Sequence, residues 1–399
     1  MSDDFLQDSP DNPDFERFLE PDHLSVLRVL PVAIAVALAV VTVLGMVLLR
    51  PTGAERPDLD EIGITAEVHG ATVVAVTEER CAVGLPCQQV SFRLDQGPDA
   101  GGVVELEFVI AETSPYFTIG DRVVLDYRAD AEPGFEYGYA DRQRRPVLAW
   151  VAIIFALAVV ALGRLRGLAA LVGLAASIFV LLQFVIPAIL DGRSPVLVAA
   201  FGAAAIAYVA LYAAHGFNRM TTVALLGTLA ALVVTVLLSE IAIGAADLTG
   251  FASDEAFILT IVGTIDLSGL VLAGVVLGSM GAIDDVTVTQ ASAVWEVKRA
   301  KPEISRIELV RAGLRVGRDH VASTVNTLLL AYAGASMPLL IFFVLSDQSL
   351  GTVLNSEIVA TEVLRTLVGS IGLVASVPLT TWLAAVMAHD VGVEPHGHG

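Results

Sequence analysis

Asp284 and Asp285 are adjacent carboxylates at the end of a long apolar run, and Thr287, Thr289 and Gln290 follow within two helical turns. Carboxylate, hydroxyl and amide oxygens are ligands for hard cations and acceptors for a proton relay. Paired acids at a helix carboxyl end also oppose the macrodipole, so something should offset them. A hydrated helix end is the plainer alternative. Upstream, Asp266 interrupts the apolar stretch Ala256 to Ile283, next to Ser268 and Gly269. As one helix that stretch would be about 42 Å long, more than a bilayer needs, so a break or bend at Asp266 is expected. Asp266 would then line a transport path or cap the start of the span at the outer interface.

Further along, Asp319, His320, Ser323 and Asn326 enter another apolar run. Asp319, Ser323 and Asn326 share one helix face at offsets of four and seven. If that face meets Asp284 and Asp285, a polar chamber opens on the cytoplasmic side; an ordinary capped helix start is the alternative. Other chemistries find no support. There is no Gly-rich phosphate loop, zinc-protease motif or nucleophile elbow. Asp266 and Asp285 lack the Gly-x-Gly-Asp context of an intramembrane aspartyl protease. No enzymatic activity and no cofactor are assigned. His389, His396 and His398 form a polar terminus better read as loose chain than as a metal site.

The elements that must hold these residues are membrane helices. The chain has 399 residues, 55% of them hydrophobic and only 17% charged, with mean hydropathy +0.73. Soluble domains carry about a quarter charged residues. The formal net charge of −20 excludes a nucleic-acid binder, whose footprint is basic. Residues 1–28 hold eight acids in the first 22 positions and read as a disordered cytoplasmic tail. Val29 to Leu49 follows as an uncleaved anchor, long enough to span about 30 Å. After Pro146 come Val147–Leu162, Leu168–Leu190, Pro195–Ala214, Thr222–Ile243, Leu267–Ile283, Thr324–Leu345 and Leu367–Met387, making eight transmembrane helices in all. The membrane domain is 146–387 and the closing tail 388–399.

Between anchor and bundle, residues 51–141 are charged and broken into β-type runs: Ile62–Val68, Ala71–Val76, Gln89–Leu94, Val103–Ile110 and Arg122–Tyr127. Five short strands suit a small all-β domain, expected to be an OB-like barrel with an open sandwich as the alternative. Cys81 and Cys87, six positions apart, are expected to form a short-loop disulfide in an oxidising exterior; a thiol pair or a metal site are the alternatives. Lys and Arg concentrate at Arg164, Arg166, Arg219 and across Lys298 to Arg318. The positive-inside rule then puts both termini in the cytoplasm and residues 51–145 outside, although Arg142, Arg144 and Arg145 count against it. Within the amphipathic segment 286–318, Ile304, Ile307, Val310 and Leu314 recur at helical spacing among arginines, which suits a helix lying on anionic membrane lipid. Gly274 and Gly278 suit close helix packing, with a homo-oligomer interface as the minority reading. "ASMPL" at 335–339 and "ASVPL" at 375–379 hint at an inverted pair with matched proline breaks.

The runs "GSMGAIDDVTVTQASAVWE" (278–296) and "GRDHVASTVNTLLLAYAGASMPLL" (317–340), behind one anchor and a β-rich insert containing "GDRVVL", resemble the YibE/F family of bacterial membrane proteins. The resemblance covers about residues 60–388. It implies a bacterial plasma membrane location and marks Asp284, Asp285, Asp319, His320 and Asn326 as motif positions without assigning chemistry. The function expected is movement of an ion or small solute. An envelope adaptor, with a protein partner at the β domain and the bundle as scaffold, is the alternative.

Overall fold

A computed structural model describes residues 21–53, 67–81, 84–132, 134–252, 254–262, 265–346 and 348–389. The acidic leader up to residue 20, the start of the first expected strand, and His396 and His398 lie outside them. The chain divides into two units, Arg56–Ala161 and Met1–Glu55 together with Leu162–Gly399.

In the first unit, β1 (Glu67–Arg80), β2 (Pro86–Leu94), β3 (Val103–Val109), β4 (Arg122–Tyr127) and β5 (Tyr137–Arg142) form one sheet in the order β3-β2-β1-β4-β5. All its pairings are antiparallel. Alternation sets the inner face: Gln88, Val90, Phe92 and Leu94 of β2 are buried, and they pack with Val73, Phe117, Val123, Leu125 and Tyr137. Register shifts at Val73/Ala75 and Val124/Leu125 are bulges that increase twist. The sheet curls until Phe108 of β3 and Tyr139 of β5 meet edge-to-face at 5.7 Å.

Two details differ from the sequence reading. His69-Gly70, expected as a turn, runs straight through β1, because both residues pair with β4 opposite Leu125 and Val124. Strand β5 was not expected, since Gly138 breaks its alternation; a Cβ there would collide with the Asp126 carboxylate on the neighbouring strand. The disulfide is present: Cys81 and Cys87 are bonded, with Cα atoms 5.5 Å apart, and both are buried.

The helices in chain order are α1 (Pro21–Leu48), α2 (Arg145–Val180), a π-helical turn (Leu181–Val185), α3 (Ile186–Leu190), α4 (Pro195–His215), α5 (Arg219–Ala245), α6 (Asp254–Val262), α7 (Leu267–Ala300), α8 (Arg306–Ala335), α9 (Met337–Leu345), α10 (Leu350–Asn355) and α11 (Glu357–His389). Among the described residues, six helical stretches are long and apolar enough to cross a membrane, and the pair α8–α9, bent by 65°, makes a seventh if it is one span. This is a multi-pass membrane protein. The count departs from eight because the runs 147–162 and 168–190 lie on one 46-residue stretch, Arg145–Leu190. Two helical runs meet there at Arg164, whose φ of 53° and ψ of −129° are not helical.

Helices α5, α7 and α11 form the centre of the second unit. Ala199, Ala203 and Ala207 of α4 pack against Leu225 and Leu232 of α5 and against Leu272, Ala273 and Val276 of α7. Small residues allow this close approach where lipid supplies no hydrophobic drive between helices. Segment 286–318 is not one separate helix. Its first part prolongs α7 to Ala300, and its second opens α8 behind a capping box of Ser305 and Glu308. Gly313 and Gly317 explain the docking of α8. A Cβ on Gly313 would meet Val294 at 2.8 Å, and one on Gly317 would meet Val377 at 2.5 Å. Arg311, Arg315 and Arg318 stay exposed on the outer side. The proline echo is not matched either: Pro338 lies in the first turn of α9 at the bend, whereas Pro378 sits inside an uninterrupted α11.

Candidate functional site

The centre of the helical unit is apolar but carries buried hydroxyls: Thr228, Thr235 and Ser239 on α5, Ser279 and Thr287 on α7, Ser376, Thr380 and Thr381 on α11. Most bond back to their own helix, as in Thr235 to Ala231 O at 2.9 Å, Ser279 to Val275 O at 2.8 Å and Thr381 to Val377 O at 2.6 Å. Ser239 and Thr380 have no hydrogen-bond partner for their hydroxyls. Glycines bring the hydroxyls against neighbouring backbone. A Cβ on Gly227 would strike the Thr380 hydroxyl, and one on Gly372 would strike that of Thr235.

Asp284 lies among these groups. It is 17 residues from the start of α7 at Leu267, about 25 Å along the axis, yet α7 runs on through the buried Val286, Thr287, Gln290 and Val294. It is therefore flanked by packed helix on both sides. Its Oδ1 is buried without a hydrogen-bond partner, and Thr228 faces the carboxylate from α5. Thr287 donates to the Asp284 backbone carbonyl at 2.9 Å and stands 2.7 Å from the Thr228 hydroxyl. Thr228 in turn reaches Ala224 O at 3.1 Å. A carboxylate oxygen beside two hydroxyls, shielded from water, can hold a proton or supply oxygen ligands to a small cation.

The other expected residues go elsewhere. Asp285 and Thr289 are exposed on the outer side of α7, and Thr289 donates to Asp285 O at 2.8 Å. Gln290 is buried and structural. Its amide donates to Gly313 O at 2.8 Å and to Thr381 Oγ1 at 2.7 Å, tying α7 to α8 and α11. Asp266 caps α7, accepting from Gly269 N at 2.9 Å and from the Ser268 hydroxyl at 2.8 Å. Ile265 and Asp266 are themselves not helical, and α7 starts afresh at Leu267. A cavity of about 460 Å³ opens beside this cap, with Glu240 and Asp247 on its other walls.

Asp319, Ser323 and Asn326 share a face, as expected, but that face is exposed. The side of α8 that meets α7 carries Leu314, Gly317, Val321 and Val325 instead. The face does not close a chamber over Asp284 and Asp285. His320 lies between the two sides, half-buried, with Nε2 buried and unpartnered. Gly274 lies under Arg365 of α11 and Gly278 under the Tyr332 hydroxyl of α8, so their missing side chains make room for groups of the same chain.

One polar pair on α11 was not expected from the sequence. Arg365 bonds Glu362 at 2.7 Å, one turn apart on α11. Its Nε is buried with no partner, like the hydroxyl of Thr361 nearby. The Glu-x-x-Arg spacing was the available signal.

The family described as YibE/F-like protein matches residues 151–390, more than half of the chain. The match holds Asp284, Thr287, Thr228 and the Glu362–Arg365 pair and leaves the β sheet outside. No curated protein and no solved structure matches the chain.

Proposed function

The chain belongs to the YibE/F-like family, and we propose that it is a permease-like protein that moves a proton-coupled or cationic solute across a bacterial plasma membrane. The reading rests on one observation: Asp284 keeps a buried carboxylate oxygen without a partner beside the Thr228–Thr287 hydroxyl pair, inside helices long enough to span a bilayer. An intramembrane acid of this kind is costly and is retained for ions or protons. Asp284 binds, and the two threonines orient it and complete the oxygen set. Both termini are cytoplasmic in this reading, which follows the clustered Lys and Arg between Lys298 and Arg318. Eight spans result if Arg164 ends one span and begins the next and if α8–α9 is one bent span. The strand order with long β1 shared between β2 and β4 supports an OB-like barrel outside the membrane.

The test is flux into liposomes by purified protein, with pH and cation-sensitive dyes trapped inside. Wild type should carry a flux that Asp284→Asn abolishes at equal reconstitution. Equal flux in both proteins removes Asp284 from the path.

A second reading has its own observation. The β unit exposes Ile119 and Phe135, at 70% and 75%, and holds an open cleft of about 660 Å³ bounded by Asp99, Val103, Glu105 and Tyr127. Those features suit an adaptor that docks an envelope protein there. Ile119→Ser with Phe135→Ser should then abolish co-purification of a stoichiometric partner while leaving Asp284 dispensable.

A further inference from the structure

We infer that the groove between α1 and α4 is a binding site for one anionic diacyl phospholipid. The groove encloses about 800 Å³ and is walled by Val32, Val36 and Ala39 of α1 and by Val209 and Ala213 of α4. This volume is in the range of built ligand sites. It is a fixed feature of the packing: the Tyr208 hydroxyl donates to Ala35 O at 2.6 Å and holds α1 onto α4 along the floor. At the mouth, Tyr212 is held by the Thr222 hydroxyl at 3.1 Å and stacks flat on Phe217, with centroids 4.5 Å apart and planes 16° apart. Phe217 is itself 90% exposed, as suits an aromatic residue at headgroup level.

Charge decides the occupant. Arg219 lines the same mouth and is exposed; among the described residues no carboxylate stands within ion-pair distance of it. A basic group at the end of an apolar slot between membrane helices selects an amphiphile with a negative head and an apolar tail. A zwitterionic lipid would fill the slot equally well and lose the pairing, and a soluble anion would pair with Arg219 and leave the slot empty. The site stands apart from Asp284 and does not depend on the transport reading.

Native mass spectrometry of the full chain in detergent, titrated with dioleoyl phosphatidylglycerol or dioleoyl phosphatidylcholine, tests this. The wild type should retain one phosphatidylglycerol about fivefold more tightly than phosphatidylcholine, the effect of a single surface guanidinium. Arg219→Gln should erase that preference without changing phosphatidylcholine binding. Ala39→Trp, which fills the slot, should weaken both lipids, with monodispersity and helical circular dichroism confirming that it folds. Equal affinity for the two lipids in wild type overturns the inference. So does a phosphatidylglycerol preference that survives Arg219→Gln, or lipid retention unaffected by a folded Ala39→Trp. Inorganic phosphate that competes off phosphatidylglycerol at matched concentration would also overturn it, by showing that the tail contributes nothing.

Discussion

The hydroxyls of Thr228 on α5 and Thr287 on α7 lie 2.7 Å apart, buried where both helices are closely packed. Each hydroxyl has one proton to give. Thr287 also lies 2.9 Å from the Asp284 carbonyl and Thr228 3.1 Å from the Ala224 carbonyl, so the pair can share its two protons among these acceptors in more than one way. The buried oxygen of Asp284 has no partner within this arrangement. Burying that oxygen without a hydrogen bond carries a desolvation cost, as it does for the hydroxyls of Ser239 and Thr380.

That cost gives the first prediction. Replacing a buried carboxylate that has lost its water with an apolar side chain of similar size should stabilise the folded protein, by about 1–3 kcal/mol. Asp284→Leu is therefore expected to unfold at a higher temperature than wild type in detergent while carrying no flux. An Asp284→Leu protein that is less stable than wild type would mean the carboxylate holds the bundle together.

The glycine contacts give the second. Gly372 admits the Thr235 hydroxyl of α5 and Gly317 admits Val377 of α11. Gly372→Val and Gly317→Val each force backbone or packed side chains to move, which costs about 1–3 kcal/mol in a filled core. Both should lower the thermal midpoint in detergent. Gly163→Ala, where nothing stands within 4 Å of the added Cβ, should not. A midpoint unchanged in Gly317→Val would mean that α8 docks more loosely than the described contacts.

The membrane class, the first apolar helix, the interruption at Asp266 and the disulfide were readable because each rests on a local pattern: apolar length, a polar residue in an apolar run, paired cysteines in one segment. The ends of α7 and α8 were not. Hydropathy falls after Ile283, yet Val286, Gln290 and Val294 are buried by partners on other helices, and only tertiary contact sets that boundary. The same holds for the site. Asp284 drew notice from its neighbour Asp285, but its real companion Thr228 is 56 positions distant and has no marker in an apolar helix. Asp319 and Asn326 were placed correctly on one face, while the direction of that face depended on Gly313 and Gly317, whose role as a docking groove becomes visible only beside α7.

In the β unit, Gln88 makes the third prediction. Its side chain is buried, accepts from Phe117 N at 2.9 Å and donates to Phe117 O at 3.3 Å, so one amide satisfies both main-chain groups of a core aromatic outside the sheet. Gln88→Leu keeps the volume and strands both groups. A loss of about 2 kcal/mol is expected, since each unmade buried bond costs about 1–3 kcal/mol and water can recover part. Urea unfolding of the full chain, followed by tyrosine fluorescence, measures it; an unchanged midpoint would show that the segment around Phe117 is held by its ring alone.

The last prediction concerns pH and the same unit. Tyr137 is buried in the sheet core and donates to Asp99 Oδ2 at 3.0 Å. Burial, and then this bond to a carboxylate, push its phenol up to about 12, against about 10 for an ordinary tyrosine. In the folded chain the proton is therefore kept at pH values where an unfolded chain has lost it. The contribution to stability is complete below pH 10 and is lost as pH rises from about 10 through about 12, because only there does the unfolded state bind fewer protons. The midpoint of urea unfolding should fall across that window in wild type and fall less in Tyr137→Phe, which has no proton to lose at this position. Tyrosinate absorbance of the folded protein should likewise show one fewer late-titrating phenol in the variant than in wild type. If wild type and Tyr137→Phe lose stability in parallel above pH 10, the alkaline transition belongs to other groups, and the Tyr137–Asp99 contact contributes to packing without coupling the fold to pH.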